Sequence, residues 1–73
     1  MSRGFMGKFQ ENFRLLRKQK KVRQKDVAEY LGVAVRTIQS YEYGDREPSI
    51  ETLIKLADYF DVTLDYLMGR RDA

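Results

Sequence analysis

Residues 24–44 read QKDVAEYLGVAVRTIQSYEYG, two short apolar stripes of helical period with a glycine after each. Val27, Ala28 and Leu31 fall on one face of a helix that opens at Gln24, and Gly32 just after them supplies the left-handed residue on which helices stop. Ile38 and Tyr41 then mark the inner stripe of a second short helix, residues 35–43, closed in the same way by Gly44. Between the two lies a turn of about three residues. Ala28 puts a small side chain where the helices cross closely, Gly32 sits in the turn, and Val33 follows as an apolar plug.

Upstream, Phe9, Phe13 and Leu16 recur at helical spacing with Leu15 beside them and basic residues between, which predicts an amphipathic helix over residues 8–20 that ends at Lys20-Lys21. Downstream, Gly44-Asp45-Arg46-Glu47-Pro48 has loop chemistry, and Ser49 after the only proline is a good N-cap. Ile50, Leu53, Leu56, Ala57 and Phe60 line one side of a fourth helix. Thr63 can cap a last short helix whose Leu64 and Leu67 point inward, with Gly69 ending it. Val62-Thr63 is too short a β-branched pair to nucleate a sheet. The expected architecture is all-α, a compact bundle of five helices: an N-terminal arm of residues 1–8, one domain over residues 9–69, and a tail of residues 70–73.

A chain of 73 residues makes one domain, because it buries only about 60% of its unfolded surface. With no cysteine there is neither a disulfide nor a thiolate metal site, and a reducing, cytoplasmic compartment is expected. With no histidine as well, the common nucleophiles, general bases and zinc ligands are missing. Asp45, Glu47, Asp61 and Asp65 fall in loops or at helix starts, where turn and capping roles explain them, so no enzyme, metal or cofactor is implied. The formal charge of +3 is unevenly spread: residues 1–25 hold nine Lys/Arg against the single acid Glu11, and residues 26–73 hold five against ten acids. A basic front half suits a polyanion, though solvation alone also explains such charges. No apolar run approaches the ~20 residues needed to span a bilayer.

Two short helices joined by a Gly-containing turn are the recurring means of presenting a second helix to the DNA major groove. An ordinary helical hairpin explains the same glycine, so the spacing by itself leaves both readings open.

Beyond spacing, the chain resembles the Cro/CI-type, or xenobiotic-response-element, helix-turn-helix family, whose domain is lambda repressor-like. The resemblance covers residues 9–69. It is carried by Arg17, Gln24, Ala28 with Leu31-Gly32-Val33, Thr37-Ile38, Tyr41-Glu42 with Gly44, Pro48-Ser49 with Thr52-Leu53, Leu56-Ala57, and Val62, Leu64 and Leu67. What it implies is a sequence-specific DNA-binding transcriptional regulator, a repressor, that places helix 3 in the major groove of a palindromic double-stranded operator as a homodimer.

The implied roles have physical reasons. Val35, Arg36, Gln39 and Ser40 match the positions that touch base edges. Arg36 can donate two parallel bonds to guanine O6 and N7, Gln39 can pair with adenine, and Val35 can rest on a thymine methyl. Gln24 matches the residue that anchors helix 2 to a phosphate, and Arg23, Thr37, Tyr43 and Arg46 match further backbone contacts, which fix register and not sequence. Arg17 and Glu42 match an internal ion pair bridging helix 1 to helix 3. Tyr59, Tyr66, Leu64 and Met68 are candidates for the dimer seam, and the end of the chain soon after helix 5 suggests a further oligomerisation or ligand-sensing domain downstream.

The sequence departs from the family at three points. Arg23 and Ala34 stand where a capping Ser or Thr is usual, each loss worth about 0.5–2 kcal/mol of local helix stability, with Asp26 offsetting part of the first. Lys21 stands where Gly or Asn often ends helix 1, which predicts either a left-handed lysine or a differently shaped turn. The competing function is an antitoxin or anti-repressor that uses the same scaffold to hold a protein partner.

Overall fold

The computed structural model describes residues 6–70, with side chains from Lys8 onward. Five helices follow one another: α1 (Met6–Gln19), α2 (Gln24–Leu31), α3 (Val35–Tyr43), α4 (Ile50–Phe60) and α5 (Leu64–Met68), with no strand among the described residues. α1 begins two residues ahead of the expected start, so the expected arm of residues 1–8 gives its last three to the helix. Residues 1–5 of that arm, and residues 71–73 of the expected tail, lie outside the described residues.

The apolar stripe of α1 accounts for its place in the bundle. Phe9, Phe13 and Leu16 are buried, and the Phe13 ring lies 5.5 Å from Phe9 and edge-on to Phe60 at 5.9 Å. Val27 and Ala28 from α2, Ile38 and Tyr41 from α3, Leu53, Leu56 and Ala57 from α4, and Leu67 and Met68 from α5 complete one core. Each large side chain withdrawn from water there contributes about 1.5–3 kcal/mol. α3 packs on α1 and α2, while α5 packs on α1 and α4.

Two apolar positions differ from expectation. Val33 is 38% exposed and plugs nothing: the turn is closed by backbone, with the Val33 N–H donating to Ala28 O at 3.0 Å around Gly32 at φ 73°. Ile50 is 61% exposed, because as the first residue of α4 it projects past the edge of the core. The expected caps are present, with Ser49 Oγ accepting from the Thr52 N–H at 3.1 Å and Thr63 Oγ1 from the Tyr66 N–H at 3.0 Å. Lys21 takes the first of its two expected forms, at φ 57°, and the Val22 N–H reaches back to Arg17 O at 2.9 Å.

Polar side chains of α1 finish two other helices. Asn12 Nδ2 donates to Tyr66 O and Leu67 O at 3.0 and 3.3 Å, and Arg14 Nη1 donates to Glu42 O at 3.0 Å. Asn12 gives Tyr66 O a second donor beside the Gly69 N–H, and the bonds to Leu67 O and Glu42 O reach last-turn carbonyls of α5 and α3. α1 is thereby tied to the ends of both.

Candidate nucleic-acid interface

The back of α3 is fixed and its front is free. Ile38 is fully buried and Tyr41 nearly so, while Arg36 and Gln39 are exposed, Val35 is 37% exposed, and Thr37 and Ser40 are half-buried. A helix of 3.6 residues per turn that buries positions 38, 41 and 42 must direct 36, 39 and 43 away from the core. Tyr43, at the C-terminal end, is 79% exposed, and Arg46 stands exposed in the loop beyond Gly44.

Glu42 is the one buried charged residue among those described, at 4% exposure. Its Oε2 accepts from Arg17 Nε at 2.5 Å and its Oε1 from Arg17 Nη2 at 3.2 Å. Arg17 Nη1 also donates to Val22 O at 3.1 Å, so the guanidinium spans α1, the turn after it, and α3. The fork geometry of the guanidinium matches the carboxylate, which makes this pair directional as well as attractive.

The contacts continue outward from that pair. Gln24, the first residue of α2, donates from Nε2 to Glu42 Oε1 at 3.1 Å. Gln39 Nε2 in turn approaches Gln24 Oε1 at 3.5 Å. Gln24, the expected phosphate anchor, and Gln39, the expected base contact, are therefore neighbours in one network that begins at a buried carboxylate.

Arg23 has a different setting from the one expected of a free cation. Its Nε and Nη2 donate to the Asp26 carboxylate at 3.1 and 2.9 Å, and its backbone N–H donates to Asp26 Oδ2 at 2.9 Å. Asp26 thus closes the start of α2 from inside the helix by accepting from the Arg23 N–H, while its own N–H donates to Arg23 O at 3.0 Å. The guanidinium bond, followed by the backbone bond, holds the Asp26 carboxyl below the usual carboxylate range. At the start of α3, Ala34 offers no side-chain cap. Around these helix starts Lys18, Lys20, Lys21 and Lys25 are all exposed, so the turn leading into Gln24 forms a basic patch among the described residues.

The bonds of Arg14 and Asn12 and the link from Gln24 to Gln39 were not foreseen from the sequence. The only signal for the first two is position, since Asn12 and Arg14 flank the inward-facing Phe13. Of the seam candidates, Met68 is buried in the core and Tyr59 packs against Tyr30, the rings tilted by 39° with centroids 4.6 Å apart. Leu64 and the exposed edge of Met68, two of those candidates, line an apolar cavity of about 320 Å³ together with Ile50, Leu53, Asp65 and Arg70, away from α3. Among the described residues no three carboxylates converge as metal ligands, and no helix is long and apolar enough to cross a membrane.

Comparison with known proteins agrees with this geometry. The helix-turn-helix family pattern matches residues 13–67. The chain is 49% identical over 55 residues to the HTH-type transcriptional regulator AnsR of Bacillus subtilis, covering 75% of this chain and 47% of that protein. It is 45% identical over 60 residues to the uncharacterized HTH-type transcriptional regulator YqaE of the same organism, covering 82% and 52%. A crystal structure of a transcriptional regulator from Listeria innocua superimposes with a TM-score of 0.80 at 41% identity, over 84% of this chain and 57% of that one. The chain spans about half the length of the curated relatives it matches. With the family pattern running from α1 into α5 and the paired helices α2 and α3 at its centre, the chain belongs to the helix-turn-helix family of the xenobiotic-response-element, or Cro/CI, type.

Proposed function

We propose that this chain binds double-stranded DNA with sequence specificity and regulates transcription as a repressor, in the cytoplasm, by laying α3 in the major groove of a palindromic operator. The observation that carries the reading is the division of α3 into a back locked by Ile38, Tyr41 and Glu42 and a front bearing Arg36 and Gln39. A rigid helix with an outward guanidinium and amide is what direct readout in the major groove requires. Arg36 reads guanine, Gln39 reads adenine, Val35 meets a thymine methyl, and Ser40 borders them.

Thr37, Tyr43 and Arg46 hold phosphates on either side, Gln24 does so through its backbone N–H at the start of α2, and Arg23 joins them there, where its pairing with Asp26 leaves it the weakest of the set. The names of the similar proteins, HTH-type transcriptional regulators and, at 35% identity, a cryptic phage repressor of Vibrio cholerae, support the same reading. Two copies bind as a homodimer with half-sites about 34 Å apart, joined across the apolar cavity flanked by Ile50, Leu64 and Met68.

The test is selection from a random duplex pool, followed by titration of the selected sequence at 50 and 200 mM salt. A DNA binder that neutralises ~6–10 phosphates loses about a thousandfold or more in affinity across that range. Weak affinity with little salt dependence rejects the reading in favour of an antitoxin or anti-repressor that works through a protein partner.

A further inference from the structure

We propose that the buried Glu42 carboxylate is a positioning group for base recognition: acting through Gln24, it sets which end of the Gln39 amide faces the DNA and so makes Gln39 select adenine. The inference rests on the DNA-binding reading above and adds to it a route by which the interior of the domain dictates a base preference.

The argument is one of donors and acceptors. A carboxylate held by a guanidinium has only acceptor atoms to offer, and both oxygens of Glu42 already accept from Arg17. Whatever else approaches it must donate. Gln24 therefore turns its NH2 group inward, at 3.1 Å from Glu42 Oε1, which directs its carbonyl outward. That carbonyl can only accept, so Gln39 presents its own NH2 group to it, at 3.5 Å. One N–H of Gln39 is engaged, and one N–H together with the carbonyl oxygen is left, in a fixed order. Adenine offers the matching pair in the major groove, an acceptor at N7 and a donor at N6. Guanine, with acceptors at both N7 and O6, leaves the Gln39 carbonyl opposed by an oxygen.

An isolated exposed glutamine is indifferent to this distinction until it meets a base, because its amide turns over freely. Here the fixed charge at one end of the relay biases the amide toward one orientation before binding, and preorganisation of this kind reduces the cost of ordering side chains at an interface. The last step is the longest and the most exposed, and it is the one DNA would shorten by excluding water.

Two measurements test the proposal. The first needs no DNA: side-chain 15N relaxation of the glutamine NH2 groups in the free protein. Gln24 and Gln39 should be ordered where exposed Gln19 is mobile, and Gln24→Met should release Gln39 to the mobility of Gln19. A Gln39 group as mobile as that of Gln19 in the parent overturns the proposal.

The second uses duplexes selected by the parent from a random pool, with Gln39→Ala identifying the base pair that Gln39 reads. Glu42→Gln and Gln24→Met should each lower the preference for adenine at that pair by at least about fivefold, while the guanine opposite Arg36 keeps its preference. Gln24→Met leaves the Arg17–Glu42 pair in place, so it decides the matter even where Glu42→Gln fails to fold. A uniform fall in affinity with the adenine preference intact overturns the proposal, because a merely structural or phosphate-anchoring role predicts that result. So does a consensus that Gln39→Ala leaves unchanged. A parent that selects no sequence refutes the DNA reading itself, and the relaxation experiment still reports separately whether the amides are ordered.

Discussion

Replacing Glu42 by alanine should cost about 3 kcal/mol of folding stability. The truncation removes three contacts, from Arg17 Nε at 2.5 Å, from Arg17 Nη2 at 3.2 Å and from Gln24 Nε2 at 3.1 Å. It leaves behind a guanidinium whose side chain is only 16% exposed. Breaking a buried pair from one side typically costs about 3–5 kcal/mol, since the remaining charge stays desolvated without a counter-charge. Arg17 keeps its bond to Val22 O at 3.1 Å and some access to water, which places the loss at the lower end.

A domain of this size has roughly 4–11 kcal/mol of stability in total, so a large part is at stake. At ~4–8 °C per kcal/mol the melting temperature should fall by about 12–24 °C. Urea unfolding followed by far-ultraviolet circular dichroism, with an unchanged denaturant slope, measures the loss directly. The double variant Arg17→Met/Glu42→Leu should regain most of it, because removing both charges leaves nothing desolvated and unpaired. A loss below about 1 kcal/mol for Glu42→Ala would match an exposed pair and refute the reasoning.

Arg36→Ala should remove the guanine preference at one position of each half-site, a change of about 1–3 kcal/mol in discrimination, while leaving thermal stability untouched; a selected consensus that stays the same sinks the assignment of the reading face. Lys21→Gly should stabilise the domain by about 1 kcal/mol in a urea melt, since lysine at φ 57° bears a left-handed penalty that glycine lacks. Asp26→Asn probes the start of α2 through pH. The folded-state pKa of Asp26 is lowered, so its contribution is fully present above the ordinary carboxylate value and disappears as pH falls through the depressed one. The gap in melting temperature between parent and Asp26→Asn should be open at neutral pH and closed in strong acid; a gap that persists there contradicts the role given to the Arg23–Asp26 pair.

The helices were largely legible because their stop signals are local. Gly32, Gly44 and Gly69 each sit left-handed just after a helix, and Ser49 and Thr63 cap the helices they precede. Apolar periodicity located the core for the same reason: Ile38 and Tyr41 must share a face whatever surrounds them. Periodicity does not say how far the core extends, and that is where Ile50 and Val33 depart from it. One lies past the rim at a helix start, and the other is turned outward by the left-handed residue before it. The front of α3 followed from its back, whereas the relay from Glu42 through Gln24 to Gln39 joins residues 18 and 15 positions apart, which no local pattern encodes. The same holds for Asn12, whose partners lie 54 and 55 residues away.

Because Val35 and Arg36 lie at or beyond the boundary of the packed interior, neither holds the bundle together. A randomised library at these two sites should yield folded members almost without exception, so target choice can drift while the scaffold stands still. Position 39 is the exception. It is wired to the interior, and a change there re-tunes the readout only within the polarity that the hidden carboxylate imposes.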